Sequence, residues 1–394
     1  MSDYLKWKVE DSYWYIKKDC LSKLKSVDAI IFDCDGVLID IRESYNKAAI
    51  RVVNYILKLV TGIDFPIKMI SQETIRFFKK SGGFNNDWDM VYSILLYSIL
   101  CLPIKIQDII IKFVDQKTDQ DYSWKEKFLV LQSQINERIK EINTEKVSSR
   151  IKNGIGKFAK TVDEEGVNSI KRKLSPFFPV DNFDEITSSV ELLFNYPGNV
   201  YESPISSIFE EIFSGPELFE EIYGKKAQFF SDNGFIDKER KIITKKTLER
   251  LATLMNGNNF GIASGRTYSS AKYTLDKILT MFKRDSLIFF EKVEEYERKS
   301  SHAKKNLKKP QPFSLLKAAE SLEPFNYALY VGDSIEDFIM VTKANVKDNR
   351  YLSVGVYYFS DLKERMIDDI FEAKVDIILP SVNELTILLE KFKE

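Results

Sequence analysis

Histidine chemistry has almost nothing to work with in this chain. One histidine, His302, occurs in 394 residues, inside the charged run RKSSHAKKNLKK. Serine-histidine triads, cysteine-histidine pairs and multi-histidine metal sites would all have to share it, and its surroundings favour a solvated loop histidine. Cysteine is nearly as scarce. Cys20, Cys34 and Cys101 lie far apart with neither CxxC nor zinc-finger spacing, so no disulfide framework or structural metal site is implied and a reducing cytoplasm is the expected compartment.

Long apolar runs are missing as well. Val91 to Leu102 is followed by Pro103 and Lys105 and reaches only about half a membrane span; a buried helix and no membrane partner are expected. The opening residues MSDYLKWKVEDSYWYIKKD carry scattered charges and no apolar centre, unlike a signal peptide. Charge of one sign is absent too. Lysine plus arginine (58) almost cancels aspartate plus glutamate (59), for a net charge of -1. That balance gives no global electrostatic case for nucleic acid or an anionic membrane, and leaves open only a local basic groove around the lysines of 299 to 309. No internal repeat or low-complexity linker occurs.

What the chain has is the composition of a soluble globular protein, 44% hydrophobic and 30% charged, at a length that calls for two domains or one with a large insertion. Its most informative stretch is VDAIIFDCDGVLID, Val27 to Asp40. A mostly apolar run to Phe32 ends in Asp33 and Asp35, one residue apart, and then Gly36. Buried parallel strands read as nearly continuous apolar runs, and ligands gather beyond their carboxyl ends. Taken alone, DxDG is as readily a core strand followed by an ordinary Asp-Gly turn as it is an active site.

The amino-terminal residues, 1-23, with Tyr4, Trp7, Tyr13, Trp14 and Tyr15 among charges, are expected to form a short amphipathic helical extension. Glu43 to Val60 has apolar residues at helical spacing and Gly62 as a stop. From there to about Leu251 the pattern is mostly helical, including Phe128, Leu131, Ile135 and Ile139 in the charged middle section. Short apolar strands follow at Phe260 to Ala263, Ala328 to Val331, Tyr351 to Val356 and Val375 to Leu379, with helices at about 268 to 282, 313 to 322, 335 to 344 and 382 to 393. Such alternation predicts an α/β fold with a doubly wound, mostly parallel sheet that includes the opening strand. The expected division is a Rossmann-like core of 24-45 and 250-394, interrupted by an inserted helical domain of 46-249.

Chemistry-bearing residues fall at strand ends or nearby loops: Asp33 and Asp35 in FDCDGVL, Ser264 in IASGR, Lys309 in KKPQP, and Asp333 with Asp337 in GDSIED. Their order and contexts resemble the haloacid dehalogenase superfamily, specifically phosphatases whose helical cap is inserted between the first and second motifs. The resemblance covers the sheet domain. It implies a magnesium-dependent phosphomonoester hydrolase acting on a small phosphorylated metabolite through an aspartyl-phosphate. Asp33 would be the nucleophile. Asp35, placed on the same side of the strand by period-two alternation, would protonate the leaving oxygen and then activate water. Magnesium would be held by Asp33, Asp333 and the backbone carbonyl of Asp35, offsetting the repulsion among the crowded acids Asp33, Asp35, Asp333 and Asp337.

Lys309 would steady nucleophile and phosphate, Ser264, Gly265 and Arg266 would bind phosphate oxygens, and Asp337 with Ser334 would stand behind them, orienting Lys309 or a metal-bound water. Lys309 has Lys304, Lys305 and Lys308 as neighbours, so a solvated basic loop is its competing account. Ser264-Gly265-Arg266 alone is a common turn, and Cys34, facing away from the acids, reads as a small buried residue. Caps of this architecture set substrate preference. KKSGGFNNDWD, Lys79 to Asp89, resembles a segment of a sparsely characterised archaeal and cyanobacterial subgroup, with Asn85, Asn86, Asp87 and Trp88 as substrate-contact candidates and a helix cap as the alternative. The extra charged section of about 115 to 200 departs from the family pattern. A phosphomutase using the same intermediate, and a non-catalytic phosphate-ligand-binding or regulatory protein, are the other readings this sequence allows.

Overall fold

The computed structural model describes residues 3–9, 12–84, 86–116, 123–138, 140, 142–299, 306–359 and 363–393. His302, Asn85, Ile139, Lys304 and Lys305 lie outside them. The chain divides into two compact units, Met1–Arg42 with Lys238–Glu394, and Glu43–Asp237. These bounds differ by a few residues at the entry and by about a dozen at the return from those expected.

Strands of the first unit are β1 (Tyr4–Val9), β2 (Ser12–Lys17), β3 (Val27–Phe32), β4 (Ile39–Asp40), β5 (Arg240–Lys241), β6 (Phe260–Ala263), β7 (Leu287–Ile288), β8 (Tyr327–Gly332), β9 (Tyr351–Val356) and β10 (Ile377–Leu379). Eight form one sheet in the order β1-β2-β10-β9-β8-β3-β6-β7, and β4 pairs with β5. From β10 to β7 every pairing is parallel. β3 is central because its residues are buried on both faces: Ile30 and Phe32 join one apolar cluster, Ala29 and Ile31 another. The chain goes from β3 to β6 and β7 on one side, then crosses to β8 on the other. Asp33 and Asp333 therefore follow adjacent strands at the reversal of strand order, where α/β sheets open a crevice.

The amino-terminal segment corrects the helical expectation. Residues 4–9 and 12–17 form an antiparallel pair whose second strand adds to β10. Burial alternates with period two along the second strand, so Trp14 and Ile16 go fully into the core while Tyr13 stays 40% exposed. That is strand periodicity, and pairing to an open sheet edge satisfies the backbone groups a lone helix would satisfy internally.

The second unit is helical throughout its assigned elements. Tyr45–Thr61 buries Ala48, Ala49, Val52, Val53, Ile56, Leu57 and Val60 and ends at Gly62 with φ 73°. Asp87–Leu100 is buried from Met90 onward on every side, as an all-apolar helix must be. The charged section contributes Trp124–Asn136 and Thr144–Ala159, which bury Phe128, Leu131, Ile135, Val147, Ile151 and Ile155 in the same apolar cluster as Tyr45–Thr61. It is part of this unit's core. No helix among the described residues is long and apolar enough to cross a membrane.

Candidate active site

Three carboxylates meet beyond β3 and β8. Asp33, Asp333 and Asp337 each offer an oxygen, and these oxygens lie within 4.8 Å of one another. β3 ends at Phe32, so Asp33 is the first residue past the strand, tied down by its N–H to the Val331 carbonyl at 2.8 Å. The turn beyond is wound on the Cys34 carbonyl, which accepts from the N–H groups of Val37, Leu38 and Ile39. Gly36 is required here. Its φ is 70°, and a Cβ would sit 1.8 Å from Asp333 Oδ2, so only glycine lets the turn pass under that carboxylate.

Lys309 answers the acids. Its Nζ lies 2.9 Å from Asp33 Oδ1 and 2.6 Å from Asp337 Oδ1, and donates to the Tyr330 hydroxyl at 2.9 Å. Its side chain is 8% exposed. Lys308 instead faces Glu294 and the Phe290 ring and stays open to solvent, so the basic-loop account fits Lys308 and fails for Lys309. Burial alone would lower the pKa of Lys309, but Asp33 and Asp337 outweigh it and hold the group well above its ordinary range. Burial pushes Asp33 the other way, up to about 6, with Lys309 opposing.

Asp337 is fully engaged. Oδ1 takes Lys309 and the Tyr330 hydroxyl, and Oδ2 takes the Ser334 N–H and hydroxyl and the Asp333 N–H. Ser334 caps the helix Ile335–Asn345, with Asp337 as the reciprocal residue of a capping box. Asp337 thus ties Lys309 to the turn, and one of its oxygens falls within the acid group. Asp33 Oδ1 is buried and is met by the Lys309 ammonium at 2.9 Å. The Asp33 carboxylate beside a second carboxylate, Asp333, is a hard, oxygen-rich donor set that fits magnesium.

Asp35 and Arg266 depart from expectation. The strand ends before Asp35, so alternation does not carry it beside Asp33; it stands outside the acid group, 28% exposed, and its Oδ1 accepts from Arg266 Nη1 at 2.7 Å. Three acids crowd together rather than four, and the Asp35 carboxylate stands outside the group. The Arg266 side chain is not presented to the acid group as a phosphate ligand would be: it is wholly buried and forked onto Glu239. A guanidinium in this position is held by two carboxylates and cannot turn to an oxyanion without abandoning one of them in the interior.

Ser264 follows β6, next to β3, with its N–H on the Ile288 carbonyl and its hydroxyl accepting from the Arg266 N–H at 3.3 Å. Gly265 is exposed, with open space where a Cβ would be. Asn86 caps the helix Asp87–Leu100 through the Trp88 N–H, and Asp87 lies 3.5 Å from Lys79; both have local structural work in the second unit, and Trp88 donates to Glu210. Tyr330 and Glu239 were not anticipated. Tyr330 left a faint signal, a hydroxyl-bearing residue inside the apolar run ALYVG. Glu239, in KERK, left none.

No family model matches this sequence, and no curated protein matches it. An X-ray structure described as a target of the Northeast Structural Genomics Consortium is similar in fold, with a TM-score of 0.61 and 20% identity, covering 93% of this chain and 99% of its own. The likeness bears on the fold alone.

Proposed function

We propose that this protein is a magnesium-dependent phosphomonoester hydrolase of the haloacid dehalogenase superfamily, cytoplasmic, acting on a small phosphorylated metabolite with the helical unit as its cap. The observation that carries the reading is the Asp33–Asp333–Asp337 group with Lys309 paired to Asp33, at the carboxyl ends of adjacent parallel strands.

Asp33 attacks phosphorus in line, forming an aspartyl-phosphate as the ester P–O bond breaks. Asp35 gives the leaving oxygen its proton, then takes one from the water that hydrolyses the intermediate. Lys309 counters charge on the nucleophile and the equatorial oxygens, and Ser264 with nearby backbone N–H groups receives the phosphate. Asp33, Asp333 and the Asp35 carbonyl would hold magnesium, which would supply further neutralisation of that charge.

The test is phosphate release from p-nitrophenyl phosphate and a phosphorylated-metabolite panel. Release is expected with magnesium, lost on chelation and lost in Asp33→Asn. Magnesium-dependent release that persists in purified Asp33→Asn overturns the reading, and an isomeric sugar phosphate in place of inorganic phosphate would reassign the protein as a mutase.

A further inference from the structure

The partners of Arg266 give it a different role from phosphate binding. Nη1 donates to Asp35 Oδ1 at 2.7 Å and to Glu239 Oε1 at 3.2 Å; Nη2 donates to Glu239 Oε2 at 2.6 Å and to the Ser270 carbonyl at 3.4 Å. The Thr274 hydroxyl donates to Glu239 Oε2 at 2.7 Å. Arg266 and Glu239 side chains are both 0% exposed, whereas Asp35 is 28% exposed. The Arg266–Glu239 pair is therefore shut off from solvent, while Asp35 is open to it.

A planar guanidinium forked onto a buried carboxylate has little rotational freedom, because turning it breaks charge-assisted bonds away from water. Glu239 balances its charge. What reaches Asp35 is a fixed N–H direction that pins one carboxylate oxygen and leaves the other to exchange protons. Orientation of this kind matters in proportion to how much a reaction needs the proton.

We propose that Arg266, locked by Glu239 and Thr274, is a positioning residue that aims Asp35 as the acid, and that it suits the site to esters with poor leaving groups, such as alkyl phosphates. This rests on the phosphatase reading, in which Asp35 moves the protons. In the step concerned, an Asp33 oxygen bonds to phosphorus and the P–O ester bond breaks. Its electron pair goes to the ester oxygen, which takes the Asp35 proton and leaves as the alcohol. An alkoxide needs that proton; a p-nitrophenolate scarcely does.

The experiment measures kcat/KM of the full chain with magnesium on p-nitrophenyl, phenyl and propyl phosphate, because kcat/KM reports the steps through departure of the alcohol. The variants are Arg266→Lys, Glu239→Gln and Thr274→Val, each checked for folding by circular dichroism and melting. For the first two, propyl phosphate turnover is expected to fall ~100-fold and p-nitrophenyl phosphate less than ~10-fold. Thr274→Val, at a half-buried position, is expected to shift the ratio the same way by less, and it decides the matter if the other variants do not fold. Uniform loss across the esters, or an unchanged ratio in every folded variant, overturns the inference alone. A wild-type protein that hydrolyses none of the esters overturns the phosphatase reading, and the inference with it.

Discussion

Asp33 and Lys309 show how a site is set by neighbours far away in sequence. Lys309 reaches Asp33, Asp337 and Tyr330, and the Tyr330 hydroxyl also lies 3.1 Å from the Ala263 carbonyl. The hydroxyl thus links the strand before Asp333 to the strand before Ser264. Gly36 carries the sharpest prediction at this scale. Gly36→Ala forces a side chain onto φ 70° and into Asp333 Oδ2; a loss of about 1–3 kcal/mol is expected from backbone strain alone. Urea unfolding should show that loss, with phosphate release falling further because Asp333 must move.

Among the elements, β3 and the amino-terminal hairpin teach opposite lessons. β3 was legible because a strand buried on both faces must be apolar almost throughout, and its end is marked by the first acid. The hairpin resembles a helix in sequence because YLKWKV and SYWYIK mix aromatics with lysines, and over six residues a stripe of period 3.6 and an alternation of period 2 share several positions. The difference is measurable. Trp14 is fully buried and Lys8 exposed, so Trp14→Ala is expected to destabilise by about 3–5 kcal/mol while Lys8→Ala stays within ~0.5 kcal/mol in the same denaturation assay.

Across the whole molecule, each unit has its own apolar core, and Cys20 and Cys34 belong to one while Cys101 belongs to the other. All three are buried free thiols. Burial pushes Cys20 and Cys101 from 9.0 up to about 12, and Cys34 well above its ordinary value. Between pH 9 and 12 the unfolded chain therefore binds fewer protons at these thiols than the folded one, and the folded state loses stability as pH rises through that window. Melting temperature should drop from pH 9 upward. At pH 8 iodoacetamide should leave all three thiols unmodified in the native protein and label three in urea.

The sequence by itself determined the strand and helix alternation, the core strands, the large helical insertion, and the identities of Asp33, Ser264 and Asp333 as residues just past strands, with Lys309 in a loop and Asp337 in the motif GDSIED that the structure winds into the first turn of a helix. Those features are local: apolar periodicity and turn residues act over a few positions, and the motifs are contiguous. Tertiary structure decided what depends on distant chain segments. It turned residues 4–9 and 12–17 into strands by offering the free edge of β10, drew Asp35 away from the acid group, buried Arg266, and brought Glu239 against it. Charges in the interior must find partners wherever the fold supplies them, and no spacing in the sequence records which partner that is.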